Sequence, residues 1–124
     1  MNGSGLLEIC NAGHNPPLLV RDGSVEPVCA GGPPLGIAAR GRIEPQQLHL
    51  DPEDFLFLYT DGLSEAINCE DEEYGSKRLE CCLERYRGQP ARNVVESVLE
   101  EVRTFQSGAP QIDDLTAMTF RLRG

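Results

Sequence analysis

The sequence predicts an α+β domain assembled in layers, on three observations. The first half reads as strands, with Asp22-Gly23 set between two apolar segments, the strongest short-range hairpin signal. The second half shifts to apolar spacings of three and four residues, the period of a helix. Period two then returns near the end of the chain, so a last strand must travel back to the first sheet.

Taken in order, residues 6–12 form a first strand, and residues 18–21 and 24–29 flank the Asp-Gly turn as a β-hairpin. Residues 30–36, AGGPPLG, hold too much Gly and Pro for a regular element and form an ordered loop. Residues 46–50 make a short strand. Residues 54–60, DFLFLYT, are apolar at both alternating positions, as a central strand covered on both faces must be. No strand resumes after Asp61-Gly62, and SEAIN reads as a loop or a helix start. Ser76 can cap a helix running to about Tyr86, with Leu79, Cys82, Leu83 and Tyr86 on one face. Pro90 suits the first turn of a second helix carrying Val94, Val95, Val98, Leu99, Val102 and Phe105, which Gly108 and Pro110 stop. Residues 115–122, LTAMTFRL, form the terminal strand, with Thr116, Met118, Phe120 and Leu122 on one side.

The length of 124 residues suits one domain that buries about two thirds of its unfolded surface. Twenty Asp and Glu against 11 Lys and Arg give a net charge of −9, which repels phosphate backbones and argues against nucleic acid as a partner. Between residues 43 and 76 there are ten carboxylates and no Lys or Arg. Glu70 to Glu73 read as a solvated acidic face, although a field of this sign beside a turn also attracts a divalent cation. No apolar run approaches the roughly 20 residues that span a bilayer, and the start MNGSGLLEIC lacks the pattern of an export signal. A cytoplasmic chain without membrane insertion is expected. The five cysteines form no CxxC pair, so they read as reduced and mostly buried thiols.

Two Asp-Gly pairs separate a turn from a site. Asp22-Gly23 joins two strands and needs no further role, whereas Asp61 stands at the C-terminal end of a core strand, where a scaffold holds a carboxylate rigidly at a crevice edge. If the next turn is helical, Glu65 at i+4 lies on the same side; the plain alternative is that Asp61 only starts a turn. Asp113-Asp114 precedes the last strand. Adjacent carboxylates repel unless a cation or hydrogen-bond donors compensate, which points to oxygen ligation of Mg²⁺ or Mn²⁺, while one Asp as a turn cap is the alternative. In NAGHNPP, His14 is held in a stiff loop, where a structural hydrogen bond outweighs proton transfer as its role.

The order NAGHNPPLL, AGGPPLGI, LYTDGLSEA, a helical pair and QIDDLT resembles the SpoIIE/RsbU-type branch of the PPM (PP2C-like) serine/threonine protein phosphatases. The resemblance implies a PPM-type αββα sandwich, of which residues 1–124 are the C-terminal part: antiparallel strands, two helices and a terminal strand. It implies a binuclear Mn²⁺ or Mg²⁺ site that activates water against a phosphoprotein, here a phosphorylated regulatory protein of the anti-sigma-factor antagonist type. Asp61 and Asp113 are then metal ligands and Glu65 faces a further metal, while Asp114 occupies a position that holds Asp or Asn in the wider family. His14 and Asn15 belong to the branch's signature loop, beside the site and without a catalytic assignment. The family's bridging Asp followed by Gly has no counterpart before Leu6, so this chain alone is expected to lack a complete site. Open sheet edges left by missing strands invite a homo-oligomer. Two alternatives stand beside the enzyme: a non-catalytic binding or regulatory module derived from a phosphatase domain, and an acidic α+β domain whose Asp61 and Asp113 are turn residues only.

Overall fold

The computed structural model describes residues 5–28, 44–111 and 113–122. Cys29 and the loop expected at residues 30–36 lie outside the described residues. The elements run β1 (Leu6–Ile9), β2 (Leu18–Arg21), β3 (Ser24–Pro27), β4 (Gln46–His49), β5 (Phe55–Tyr59), α1 (Asp61–Ser64), α2 (Gly75–Arg85), α3 (Ala91–Gln106) and β6 (Ala117–Arg121). Four strands form an antiparallel sheet in the order β3-β2-β5-β6, and β1 pairs with β4 in a separate ribbon.

The alternation of FLFLY explains the layering, because successive side chains of a strand point to opposite faces. Phe55 and Phe57 are fully buried on one face against Leu79, Leu83, Val94, Val98 and Val102 of the helices. Leu56 turns to the other face, into a smaller core with Leu19, Val28 and Leu50, flanked by Leu7, Ile9 and Leu48 of the ribbon. Helix pair, four-stranded sheet and ribbon are thus three layers, with β5 as the wall common to both cores. The expected hairpin is present: Arg21 faces Ser24 across the turn, and Gly23 takes φ +72°, a left-handed conformation that suits Gly.

Several expectations shift. The first strand stops at Ile9 rather than running to residue 12, because the Asn11 side chain binds both the N–H and the carbonyl of His14 and turns the chain at residues 12–14. Ser76 does not open its helix; α2 starts at Gly75 (φ +79°) after a buried Tyr74, with no side-chain cap. Tertiary anchoring replaces the cap, since Tyr74 N–H donates to the Ala66 carbonyl at 2.7 Å. Pro90 takes the N-cap position, just outside α3, and Ser107 (φ +45°) shares the helix stop with Gly108. The terminal strand shortens to β6, and its expected apolar face is only half used: Phe120 packs into the smaller core, whereas Met118 is 55% exposed. Ala117, on the other face, packs towards the helices. Of the cysteines described, Cys82 alone is buried; Cys10, Cys69 and Cys81 are exposed, which corrects the expectation of mostly buried thiols.

Among the described residues Asp54, just before β5, is a buried carboxylate, 4% exposed, and accepts from Arg21 Nε at 2.9 Å and from Asp51 N–H at 3.0 Å. Under α3, burial pushes the Cys82 thiol from 9.0 up to about 12, with the hydrogen bond and charge of Glu101 adding to it. Burial, then the neighbouring Cys82 and Glu101, also raises the Tyr74 phenol above 10.0. Both groups hold their protons more tightly folded than unfolded. Their contribution is therefore complete below pH about 9 and is lost as pH climbs from there towards the folded values. The melting temperature is expected to fall above pH about 9, and Cys82→Ala to flatten part of that fall. Thermal melts from pH 7 to 11 check this, and identical slopes in both proteins would contradict it.

Candidate metal and phosphate site

The end of β5 is fastened to the approach to β6 by one side chain. Thr60 N–H donates to the Thr116 carbonyl at 3.1 Å, its hydroxyl donates to the Asp114 carbonyl at 3.3 Å, and Thr116 N–H donates to that hydroxyl at 3.2 Å. Thr60 occupies the N-cap position of α1 without capping it, since its hydroxyl is already engaged between the strands.

The chain then turns into α1, with Asp61 first and Gly62 buried behind it. A methyl on Gly62 would overlap the Asp114 carbonyl and come within 3.3 Å of the Asp113 carbonyl carbon. Glycine is needed here for close approach, and that approach brings the YTDG and DDLT segments into backbone contact. Asp61-Gly62 stands out in the sequence for its carboxylate; nothing local marks Gly62, whose role comes from the approach of a distant segment.

Asp61 is exposed, and its Oδ1 accepts a 2.6 Å hydrogen bond from Asn15 Nδ2. Its main-chain carbonyl accepts from Glu65 N–H at 2.8 Å and from the Ser64 hydroxyl. Glu65 therefore closes the single turn of α1, and with Asp113 it lines a cavity of about 220 Å³ with Ala66, Glu73, Gln106 and Gln111. Asp61 is not in that lining. Asp113 Oδ1 accepts from Asp114 N–H at 2.8 Å, and its carbonyl accepts from Gln111 Nε2. One backbone donor thus reaches the Asp113 carboxylate, while the Gln111 amide holds its main chain. The structure joins Asp61 to Asn15 and Glu65 to Asp113, with the Gly62 contact linking the two pairs.

His14 lies in the same loop as Asn15, is exposed, and has its Nδ1 2.9 Å from the Asn15 carbonyl. This is the structural hydrogen bond expected of it. Burial, followed by the charges of Asp61 and Glu80, raises the Tyr59 phenol above its ordinary value. Glu73, Gln106 and Gln111 join the cavity without any sequence signal, because they reach it through the bridge Ile67–Glu73 and the end of α3.

Asp61, Glu65 and Asp113 are hard oxygen donors, right in kind for Mg²⁺ or Mn²⁺. Their number is low for such an ion, and among the described residues no group of three or more His, Cys, Asp or Glu is placed to hold a metal.

Residues 2–123 match the model of the family described as Stage II sporulation protein E (SpoIIE). Protein IcfG of Synechocystis sp. is 27% identical over 115 residues, which cover 91% of this chain and 18% of that protein. The SiaA-PP2C domain of Pseudomonas aeruginosa superposes with a TM-score of 0.72 at 26% identity, over 96% of this chain and 47% of that one. The PP2C phosphatase domain, with a regulatory fragment, of the cell fate determinant SpoIIE from Bacillus subtilis gives 0.77 at 21% identity, over 97% and 35%. The chain spans less than half the length of each of these relatives. Its layered strands and helices are therefore part of the PPM-type αββα sandwich, with Asp61 just after β5 and Asp113 on the approach to β6. The chain belongs to the SpoIIE family and carries a partial domain of the PP2C phosphatase type.

Proposed function

We propose that this chain is the C-terminal part of a metal-dependent serine/threonine protein phosphatase domain. Asp61 and Asp113 supply ligands to Mn²⁺ or Mg²⁺, and Glu65 faces a further ion from the cavity wall. The backbone contact of Gly62 with Asp113-Asp114 carries this reading, because it joins two acidic segments that are 52 residues apart in sequence. When bound, such ions supply an activated water and offset charge on the phosphate. The protein's own part is geometric: Thr60 and Gly62 hold the two segments in register, and Asn15 bonds the Asp61 carboxylate. The remaining ligands come from outside these residues, from the other part of the domain.

The substrate proposed is a phosphorylated serine or threonine on a small regulatory protein of the anti-sigma-factor antagonist type, in cytoplasmic signalling. Among the described residues no helix is long and apolar enough to cross a membrane. The outer edges of β3 and β6 in the four-stranded sheet support pairing with a second chain. A second reading, a non-catalytic binding or regulatory module, is favoured by the lack of a three-ligand metal cluster among the described residues.

Calorimetric titration of this chain with Mn²⁺ tests the ligand assignment. Binding is expected to be weaker than about 10⁻⁴ M, because too few oxygens are present. Asp61→Asn or Asp113→Asn is expected to weaken it at least about tenfold further. Tight uptake of two ions would overturn the incomplete site, and unchanged affinity in both variants would overturn the ligands. The chain alone is expected to hydrolyse p-nitrophenyl phosphate negligibly with Mn²⁺.

A further inference from the structure

The loop before β2 makes a set of hydrogen bonds that the metal ligands do not explain. Asn11 Nδ2 donates to the His14 carbonyl at 2.9 Å, and His14 N–H donates to Asn11 Oδ1 at 2.8 Å. This reciprocal pair closes a turn whose Gly13 has φ +95°, a conformation suited to Gly. The His14 ring then bonds the Asn15 carbonyl through Nδ1 at 2.9 Å. On the far side, the carbonyl of buried Pro17 accepts from Val28 N–H at 2.8 Å, which ties the loop to the hairpin. Asn15 precedes Pro16, which restricts its backbone to extended conformations. Its side chain is thus delivered from a braced main chain, and its amide reaches across 46 positions of sequence to Asp61 Oδ1 at 2.6 Å.

We infer that Asn15 is the positioning residue for the Asp61 carboxylate, holding it in the orientation that ligates the cation, with the Asn11–His14 turn as its brace. The inference rests on the proposal that Asp61 binds metal, and it gives the NAGHNPP loop a role in that site. The choice of an amide is part of the argument. A Lys or Arg at this position would neutralise Asp61 and compete with the cation, whereas a neutral donor fixes one oxygen and leaves the charge and the second oxygen available. Partners of this kind, hydrogen-bonded to a ligand and not to the metal, contribute about 10- to 100-fold to metal affinity or activity when removed. Burial is not what Asn15 supplies, since the bonds around it are exposed, so its loss leaves the core intact.

The test uses Mn²⁺ and this chain, read by Mn²⁺ electron paramagnetic resonance and by NMR of the side-chain amides. Asn15→Ala is expected to weaken Mn²⁺ binding about tenfold and to leave the metal-free melting temperature in place. Asn11→Ala, which releases the brace, is expected to weaken binding in the same direction and to add little in the Asn15→Ala background. In an Asp61→Asn background, Asn15→Ala is expected to have no further effect, because its action runs through that carboxylate. In the unmodified chain, substoichiometric Mn²⁺ is expected to broaden the Asn15 amide signals and spare those of Asn93. Asn93 lies near the opposite end of α3 from Gln106, about 20 Å away along the helix, and this readout needs no variant to fold. Full affinity in Asn15→Ala while Asp61→Asn loses binding would overturn the inference and leave the metal site standing. An equal loss on adding Asn15→Ala to Asp61→Asn, or an Asn15 amide untouched by Mn²⁺, would overturn it as well. Mn²⁺ affinity unchanged by Asp61→Asn, or no Mn²⁺ uptake by the unmodified chain, would instead remove the metal-site reading beneath it.

Discussion

Asp61→Asn and Asp113→Asn are each expected to lower Mn²⁺-dependent phosphoprotein hydrolysis by about a hundredfold or more, in a polypeptide that joins this chain to the rest of a PP2C domain. The substitutions keep the shape of the side chain and remove its charge, so what is lost is the attraction for a cation and the electrostatic offset of the phosphate. Structural cost is small at both positions. Asp61 and Asp113 are exposed, and the Oδ1 that accepts from Asn15 or from Asp114 N–H persists in Asn. Steady-state kinetics at saturating Mn²⁺ settle the matter. Turnover undiminished in both variants would sink the ligand assignment, and no turnover in the joined polypeptide would favour the non-catalytic module.

Phe57→Ala is expected to cost about 3–5 kcal/mol, as large-to-small changes in a packed core do. Against a total stability of about 5–15 kcal/mol, this leaves much of the population unfolded on mild heating. Phe57 is fully buried in the central strand, pairs with Leu18 on one side and Thr119 on the other, and stacks on Tyr59 with ring centroids 6.2 Å apart. The space it leaves is hard to fill, because β5 is held between β2 and β6 and the helices pack over its buried face. Met118→Ala on the adjacent strand is the control: at 55% exposure it should shift stability by less than about 0.5 kcal/mol. Urea unfolding followed by circular dichroism compares the two, and similar midpoints would contradict the assignment of β5 as the wall between the cores.

What the sequence revealed follows from which forces are local. The hairpin at Asp22-Gly23, the two-faced strand of DFLFLY and the valine stripe of α3 are written in spacing and turn chemistry, which act over a few residues, and each appears where expected. Helix starts were less legible. Ser76 has the right chemistry for a cap, but a buried Tyr74 and a backbone bond to Ala66 set the start of α2 instead. Met118 alternates correctly with Phe120 and yet stays exposed, because period alone does not say how far the ribbon extends over the sheet. In the site, Asp61, Glu65, Asp113 and Asn15 were named from residue type and motif order. Thr60, Gly62 and the cavity wall of Glu73, Gln106 and Gln111 were not, since their importance arises from an approach between segments that no local pattern encodes.

The pairing of β5 with β6 also sets a timetable. Tyr59 pairs with Ala117, so the edge of the central strand beside the acidic turn is completed only after both helices between them have formed or been synthesised. Contacts of such wide sequence separation form slowly, because a long loop must close before they stabilise anything. During synthesis the hairpin and the helices can consolidate while β5 still has one open edge, and the Asp61 turn waits without its partner. The acidic segments therefore meet late, and a chain that has stalled or misfolded before β6 docks presents Asp61 alone. The close backbone approach of Gly62 to Asp113-Asp114 then reports that the last strand has arrived.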